Sequence, residues 1–217
     1  MRRFDHGRGR RELGCRYTLA RLLADRAAPL GLAVINAGIS AAQLLRDGMG
    51  ANALARLDRE VLAQPGARAL VFKLGTNDIG FPGTPFMRDV SLPSFETMVQ
   101  TYKMITARAH AAGIHVTAST IAPFAGALPD TPFAGHYHTP PKETLRRRLN
   151  TWIRNAEIFD AVADFAAVLA ERDAPERMAP QFDSGDHLHP NDKGNRAMAN
   201  AFSFTGLTGH GNGPSAT

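Results

Sequence analysis

The chain has 217 residues, 44% hydrophobic and 21% charged, which are ordinary proportions for one globular domain with a sizeable core. Its one cysteine, Cys15, excludes an internal disulfide framework and any multi-cysteine metal site. The formal net charge is +5, and residues 1–11 carry five arginines against one aspartate. A basic arm can bind nucleic acid, but Phe4 is its one aromatic residue for base stacking, so a solvated terminus is the better interpretation.

The arginine-rich start is not followed by the roughly 7–15-residue apolar run of a signal peptide. No stretch approaches the roughly 20 apolar residues of a membrane span. We therefore expect a basic, disordered arm over residues 1–15, one domain over residues 16–204, and a flexible tail over residues 205–217.

Short apolar runs alternate with segments of helical periodicity along the chain. The apolar runs predict four strands, at residues 32–35, 69–74, 114–120 and 159–164. The periodic segments predict four helices: residues 54–62, a helix from a Ser94 cap to Ala112, one from Pro140 or Pro141 to Asn155, and one from Pro190 to Phe202. This alternation predicts an α/β fold with a parallel sheet.

Two Pro- and Gly-rich stretches, residues 80–93 and 122–141, are predicted to be loops. Each follows a predicted strand, so we expect both at the carboxyl edge of the sheet, where open α/β folds bind ligands. His136 and His138 lack a third ligand with zinc-like spacing, and no glycine-rich phosphate loop occurs, so we expect no cofactor. The run Arg146–Arg148 is predicted to be a solvated helix face.

The segment DSGDHLHP, residues 183–190, stands just before the last predicted helix. Its Asp186 and His189 are three residues apart, and a turn that leads into a helix would bring them to the same side. A carboxylate held against an imidazole fixes the tautomer of the ring and stabilises the imidazolium that forms when the ring takes a proton. Taken alone, a capping aspartate beside a surface histidine is the commoner explanation of such a motif.

A second polar cluster, Gly75-Thr76-Asn77-Asp78, directly follows the predicted strand at residues 69–74. This position puts Asn77 at the carboxyl edge of the sheet, where a side-chain amide can donate a hydrogen bond to a developing oxyanion. On its own, an Asn-Asp turn that ends the strand is the simpler explanation.

Together, the two clusters resemble blocks III and V of the SGNH hydrolases, the GDSL-type esterases, and residues 34–40 resemble the stretch that leads into block II. The resemblance covers residues 16–202 and implies a three-layer α/β/α, flavodoxin-like fold with serine-dependent hydrolysis of acyl esters. It also implies His189 as the general base and Asp186 as the carboxylate that orients it. By the same resemblance Asn77 is a side-chain oxyanion donor, with Gly75 and Asp78 as its structural neighbours.

Two family features differ in this sequence. The Gly-Asp-Ser motif of block I has no counterpart, since the first serine is Ser40, so we expect the chain to begin just past the nucleophile. In block II, the glycine whose N–H serves the oxyanion hole falls at Ala41, and Gly38 stands three places early. Alanine keeps this donor if its backbone angles suit a residue with a Cβ. Ser40 is the best local candidate for a substitute nucleophile, ahead of Ser184 and Cys15.

Loss of block I also implies loss of the first strand, which is central in a 2-1-3-4-5 sheet. Residues 32–35 would then pair directly with residues 69–74, or the gap would need filling, and we expect a marginally stable or self-associating chain. The predicted function is a cofactor-free esterase for small or carbohydrate-linked acyl esters, with no nucleic-acid partner and with full-length relatives that are exported. Two alternatives stay open: a non-catalytic relic or ligand-binding module, and a nucleic-acid binder that uses the basic arm.

Overall fold

A computed structural model describes residues 17–207, which leaves the predicted arm and most of the predicted tail outside the described residues. Three parallel strands form one sheet in the order β1 (Ala69–Phe72), β2 (His115–Ser119) and β3 (Ala161–Ala163). Leu70 of β1 pairs with Val116 of β2, and Ala118 of β2 pairs with Val162 of β3. The prediction of an α/β fold with a parallel sheet is confirmed.

Helices connect these strands and flank them. The described α-helices are α1 (Leu19–Ala27), α2 (Ala53–Leu57), α3 (Thr76–Gly80), α4 (Phe95–Ala111), α5 (Pro140–Asn155), α6 (Phe165–Leu169) and α7 (Asp192–Ala201). A 3₁₀ turn (Ala28–Leu30) continues α1, and a π-helical turn (Asp58–Leu62) continues α2. As predicted, the Ser94 hydroxyl caps α4 by accepting a hydrogen bond from the Thr97 N–H at 3.1 Å. Helices α3 and α6 are too short to show a periodic pattern in the sequence.

Two apolar clusters cover the two faces of the sheet. Leu70 and Phe72 of β1 belong to the cluster that α2, α4 and α5 complete. Their neighbours Ala69 and Val71 pack against the other cluster, which α1, α6 and α7 complete. Because successive side chains of a strand point to opposite faces, the arrangement is a three-layer α/β/α sandwich. None of the helices within residues 17–207 is long and apolar enough to span a membrane.

The strand predicted at residues 32–35 does not form. This segment belongs to no sheet, and 70% of Ile35 is exposed to solvent. A cavity of about 700 Å³ separates residues 32–38 from β1, so the two segments do not pair directly either. An apolar run becomes a strand only when a neighbouring strand takes its backbone hydrogen bonds, and β1 pairs only with β2 among the described strands.

The prediction of a solvated Arg146–Arg148 face is wrong for Arg146. Its guanidinium is buried, donates two hydrogen bonds of 2.7 Å to Glu143, and donates a third of 3.1 Å to the carbonyl of Ile121. Asn150, one turn along α5, also binds the backbone of Ile121 at both its N–H and its carbonyl. Residues of α5 therefore fix the direction in which the chain leaves β2, which is where the second predicted loop begins.

Candidate active site

The turn after β1 presents Asn77 just beyond the carboxyl end of the strand. Gly75 leaves the strand with a φ of 110°, a conformation that favours glycine, and a Cβ there would lie 3.0 Å from the hydroxyl of Tyr102. Helix α3 begins at the next residue, so Asn77 lies in its first turn. The structure thus places Asn77 where its position in the sequence indicates.

The side-chain amide of Asn77 is held from both ends. Its Oδ1 accepts a hydrogen bond of 2.6 Å from the Tyr137 hydroxyl, and its Nδ2 donates one of 3.0 Å to the carbonyl of Ala42. Burial, followed by the charge of Asp78, raises the pKa of Tyr137, which keeps this hydroxyl protonated and able to donate. An Nδ2 group carries two hydrogens, and the Ala42 carbonyl engages one of them, so the Asn77 amide can still donate a second hydrogen bond.

Asp78 is fully buried and binds the backbone just after Ala41, where the sequence resembles block II. Its carboxylate accepts hydrogen bonds from the Leu44 N–H at 2.9 and 3.0 Å and from the Leu45 N–H at 2.9 Å. Burial raises the pKa of Asp78 against the lowering effect of these N–H groups. With the bond from Asn77 to Ala42, these contacts attach residues 42–45 to the turn that follows β1.

The block II turn holds Ala41 in a left-handed conformation, with a φ of 57°. Among residues 17–207 the N–H of Ala41 has no hydrogen-bond acceptor, so it is available as a donor to a ligand. The N–H of Gly38 instead binds the side chain of its neighbour Asn36 at 3.0 Å, which leaves Ala41 as the better placed of the two predicted backbone donors. Ser40 is exposed at the start of the same turn.

Asp186 and His189 form the predicted pair in the loop before α7. The Oδ2 of Asp186 lies 2.7 Å from Nδ1 of His189, and its Oδ1 accepts hydrogen bonds from the N–H groups of His189 and Leu188 at 2.8 and 3.0 Å. Burial opposes ionisation of Asp186, but the N–H groups and the His189 ring lower its pKa to about 2. The carboxylate is therefore charged at neutral pH, while 69% of the His189 side chain stays exposed.

A second aspartate–histidine pair in this loop was not predicted. Asp183 binds the ring of His187 and accepts hydrogen bonds from the N–H groups of Gly185 and His187 at 2.8 and 3.0 Å. His187 has a φ of 59°, so this loop holds a strained residue next to the Asp186–His189 pair. Ser184 donates its hydroxyl to Asp186 at 3.0 Å rather than to a histidine.

Residues 122–139 connect the two clusters. At one end of this loop the Leu128 N–H donates to the carbonyl of Asp186 at 2.8 Å, and at the other Tyr137 binds Asn77. Lys142 fastens the second end, because its ammonium donates to the carbonyls of His136 and Gly80 at 2.6 and 2.7 Å. The sequence predicts this loop at the ligand-binding edge of the sheet, but it contains no local signal for the contact between Tyr137 and Asn77. Within residues 17–207, no three His, Cys, Asp or Glu side chains are grouped so as to hold a metal ion.

A parallel sheet between two layers of helices, as found here, is the α/β/α fold of the SGNH hydrolases. The sequence matches the GDSL-like lipase/acylhydrolase family over residues 6–197, and the chain belongs to that family. A comparison with curated protein sequences gives no match.

Solved structures share the fold at low sequence identity. A catalytic mutant of Axe2, an acetylxylan esterase from Geobacillus stearothermophilus, is 19% identical with a TM-score of 0.61, over 91% of this chain and 87% of that one. Est24, a carbohydrate acetylesterase from Sinorhizobium meliloti, is 16% identical with a TM-score of 0.59, over 85% and 81%. The psychrotrophic esterase EstA from Pseudoalteromonas sp. is 19% identical with a TM-score of 0.55, over 85% and 82%.

Proposed function

We propose that this chain forms the base and oxyanion-binding parts of a serine-dependent esterase that cleaves small or carbohydrate-linked acyl esters. The observation that carries the proposal is the loop of residues 122–139, which contacts both the Asp186–His189 pair and the Asn77 amide. This loop thereby links the proposed proton acceptor to the proposed oxyanion donor. Membership of the family supports ester hydrolysis in general.

In the proposed reaction, His189 takes the proton from an attacking hydroxyl at Nε2, since Nδ1 faces Asp186. The hydroxyl oxygen bonds to the acyl carbon, and the negative charge moves to the carbonyl oxygen. The Asn77 amide and the Ala41 N–H would donate to that oxygen. His189 then returns its proton to the departing alcohol, and water repeats the sequence to release the acid. Asp186 stabilises the imidazolium during both steps.

The nucleophile in this proposal comes from residues outside the 217, because Gly-Asp-Ser does not occur in the sequence. Carbohydrate-linked esters are proposed because two of the similar structures are described as an acetylxylan esterase and a carbohydrate acetylesterase. An exposed aromatic side chain, Phe86, projects from the loop at residues 80–93 beside Phe81, with ring centroids 5.5 Å apart. We propose that the two loops wall the pocket for the acyl or alcohol group.

The first test is hydrolysis of p-nitrophenyl acetate by the chain and by His189→Ala. The matched control is His110→Ala. His110 lies on α4, and its ring nitrogen also lies 2.8 Å from an aspartate, Asp160. Without the serine, the proposed base His189 can still take a proton from an attacking water molecule, and general-base catalysis of this kind typically contributes roughly 10²–10⁴-fold. We therefore expect slow hydrolysis that His189→Ala removes and His110→Ala leaves unchanged.

A Ser40→Ala variant tests where the nucleophile lies. We expect it to hydrolyse the ester at the rate of the unmodified chain and a fluorophosphonate probe to leave Ser40 unlabelled. Loss of activity in Ser40→Ala would place the nucleophile inside the chain and overturn that part of the proposal. Equal rates in His189→Ala and His110→Ala would remove the case for an esterase site and favour the ligand-binding alternative. The nucleic-acid alternative rests on the basic arm, which lies outside the described residues.

A further inference from the structure

The loop before α7 holds two aspartate–histidine pairs, and the reaction proposed above uses one of them. The loop is closed at its base, where Asp183 and Pro190 form an antiparallel bridge and the Ser184 N–H donates to the carbonyl of His189 at 3.0 Å. His187 and His189 therefore lie in the same closed loop. Two residues of chain span at most about 7 Å, so a small ligand can reach both rings.

The two pairs are built in the same way. In each, one carboxylate oxygen accepts hydrogen bonds from N–H groups of the loop, and the other lies against Nδ1 of the histidine. For Asp183 the N–H groups are those of Gly185 and of His187 itself, at 2.8 and 3.0 Å. A carboxylate at Nδ1 fixes the tautomer of a neutral imidazole and leaves its Nε2 as a hydrogen-bond acceptor. His187 is thus oriented as strictly as His189 is.

The ring of His187 is held in place but remains accessible. Its side chain is 48% exposed, whereas that of Asp183 is 8% exposed. Within residues 17–207 the His187 ring hydrogen-bonds through Nδ1 to Asp183, which leaves Nε2 open to a ligand. The ring lies beside the loop of residues 122–139, since a Cβ on Gly126 would come within 3.7 Å of its Cδ2. His187 therefore adjoins the loop that contacts Asn77.

The backbone of His187 is strained, and Asp183 stabilises it. The φ of 59° is a left-handed conformation, which glycine and asparagine adopt more readily than histidine does. The Asp183 carboxylate offsets this cost through the ring of His187 and two N–H groups of the loop. Strained residues that are held by several contacts cluster at ligand-binding sites, so this conformation favours a functional role for the imidazole.

The surroundings of Nε2 indicate which ligand chemistry fits. An anion would meet the negative charge of Asp186, which is ionised at neutral pH. A metal ion would need more ligands, and the described part of the chain groups no three His, Cys, Asp or Glu side chains that could supply them. An acceptor on a neutral ring fits a hydroxyl group, which donates one hydrogen bond. The alcohol half of a carbohydrate ester carries several such groups.

We propose that His187 is a specificity-determining residue, whose Nε2 accepts a hydrogen bond from a hydroxyl group on the sugar half of the ester. His189 acts on the ester bond, and His187 recognises the alcohol that departs. Asp183 is a positioning residue, since it holds both the ring and the backbone of His187. This inference rests on the proposed function for the class of substrate, but recognition of a sugar can be measured without hydrolysis.

The test is NMR spectroscopy of the ¹⁵N-labelled chain at pH 8, with detection of backbone amides and imidazole nitrogens. The probe is methyl β-xylopyranoside, and the control ligand is tetrahydropyran, which has the same ring without hydroxyl groups. In His187→Asn, asparagine tolerates the left-handed conformation and keeps a side-chain N–H for Asp183, but it has no atom at the position of Nε2. The matched control is His110→Ala, which removes the aspartate-bound histidine of α4.

We expect the xyloside to bind with a Kd on the order of 1–10 mM and to shift the Nε2 resonance of His187, while tetrahydropyran leaves that resonance unchanged. His187→Asn should weaken xyloside binding about two- to tenfold, which is the contribution of one neutral hydrogen bond. His110→Ala should bind the xyloside as the unmodified chain does. The urea midpoint of His187→Asn should stay the same, so a role confined to loop structure would leave the affinity unchanged.

Three results would overturn the proposal: no saturable binding of the xyloside, equal affinity in His187→Asn, or equal shifts with tetrahydropyran. The Nε2 shift in the unmodified chain tests the contact even if the substitution destabilises the loop. Loss of p-nitrophenyl acetate hydrolysis in His187→Asn, with retention in His189→Ala, would make His187 the base and would also overturn it.

Failure of the proposed function gives a different result. Equal hydrolysis by His189→Ala and His110→Ala would remove the case for an esterase, but xyloside binding that depends on His187 would still support recognition of a sugar. Hydrolysis that depends on His189, without a xyloside contact at His187, would keep the esterase and overturn this inference.

Discussion

Replacing Ala41 by glycine tests the backbone conformation of the turn that contains this proposed oxyanion donor. The φ of 57° at Ala41 is a left-handed backbone conformation. It brings the Cβ close to the following carbonyl oxygen, which costs about 1–2 kcal/mol for a residue other than glycine. Glycine relieves that strain but adds about 0.4–1 kcal/mol of conformational freedom to the unfolded chain. Ala41→Gly should therefore increase the free energy of unfolding by about 0.5–1 kcal/mol.

Urea denaturation followed by circular dichroism measures this change, with an unchanged m-value as evidence that only stability has altered. The matched control is Ala51→Gly, an exposed alanine outside the helices whose φ is not positive. It should lower the free energy of unfolding by about 0.4–1 kcal/mol, since only the unfolded-state effect remains. If Ala41→Gly destabilises the chain as much as Ala51→Gly does, Ala41 does not adopt the left-handed conformation in solution.

Three further predictions concern the site. The folded pKa of Asp186, about 2, lies below the ordinary 3.8, so its stabilisation is present above pH 4 and is lost as the pH falls toward 2. Asp186→Asn should therefore lower stability at pH 7 by roughly 2 kcal/mol and flatten the acid limb of a stability–pH curve; an unchanged acid limb would contradict this. Tyr137→Phe should cost about 1 kcal/mol in urea denaturation, since Asn77 Oδ1 loses its donor, and a neutral effect would mean that water replaces the hydroxyl. Gly80→Ala should cost about 1–3 kcal/mol, because its Cβ would overlap the Tyr137 ring, and a small cost in thermal denaturation would show that the ring moves easily.

The link between Tyr137 and Asn77 gives the loop of residues 122–139 a direct influence on the proposed oxyanion donor. Phe81 and Phe124 pack edge-on against the Tyr137 ring, with centroids 5.5 and 5.8 Å away. Burial lowers the pKa of Lys142, which anchors this segment, to about 8. Because the folded pKa lies below the ordinary value of 10.5, the unfolded chain binds more protons between the two, and this lysine adds stability as the pH rises through that range.

Local patterns in the sequence were sufficient for the elements whose signals are local. The parallel strands at residues 69–74 and 114–120, the Ser94 cap and the helix from Pro140 all follow from apolar runs, capping residues and proline, and the structure contains them. The Asp186–His189 contact was also predictable, because three residues of chain in a turn leave the two side chains little choice of position. The catalytic roles of these residues stay predictions.

Tertiary structure decided the features that depend on partners distant in the chain. Tyr137 meets Asn77 across 60 residues, and Arg146 is buried because the carbonyl of Ile121 lies within its reach. Neither contact leaves a local signal, since a tyrosine in a loop and an arginine in a charged run both look like surface residues. Residues 32–35 show that a local signal can also be insufficient. Their composition is that of a strand, but a strand needs a neighbour for its backbone hydrogen bonds. Across the cavity that separates them from β1, none of the described residues provides one.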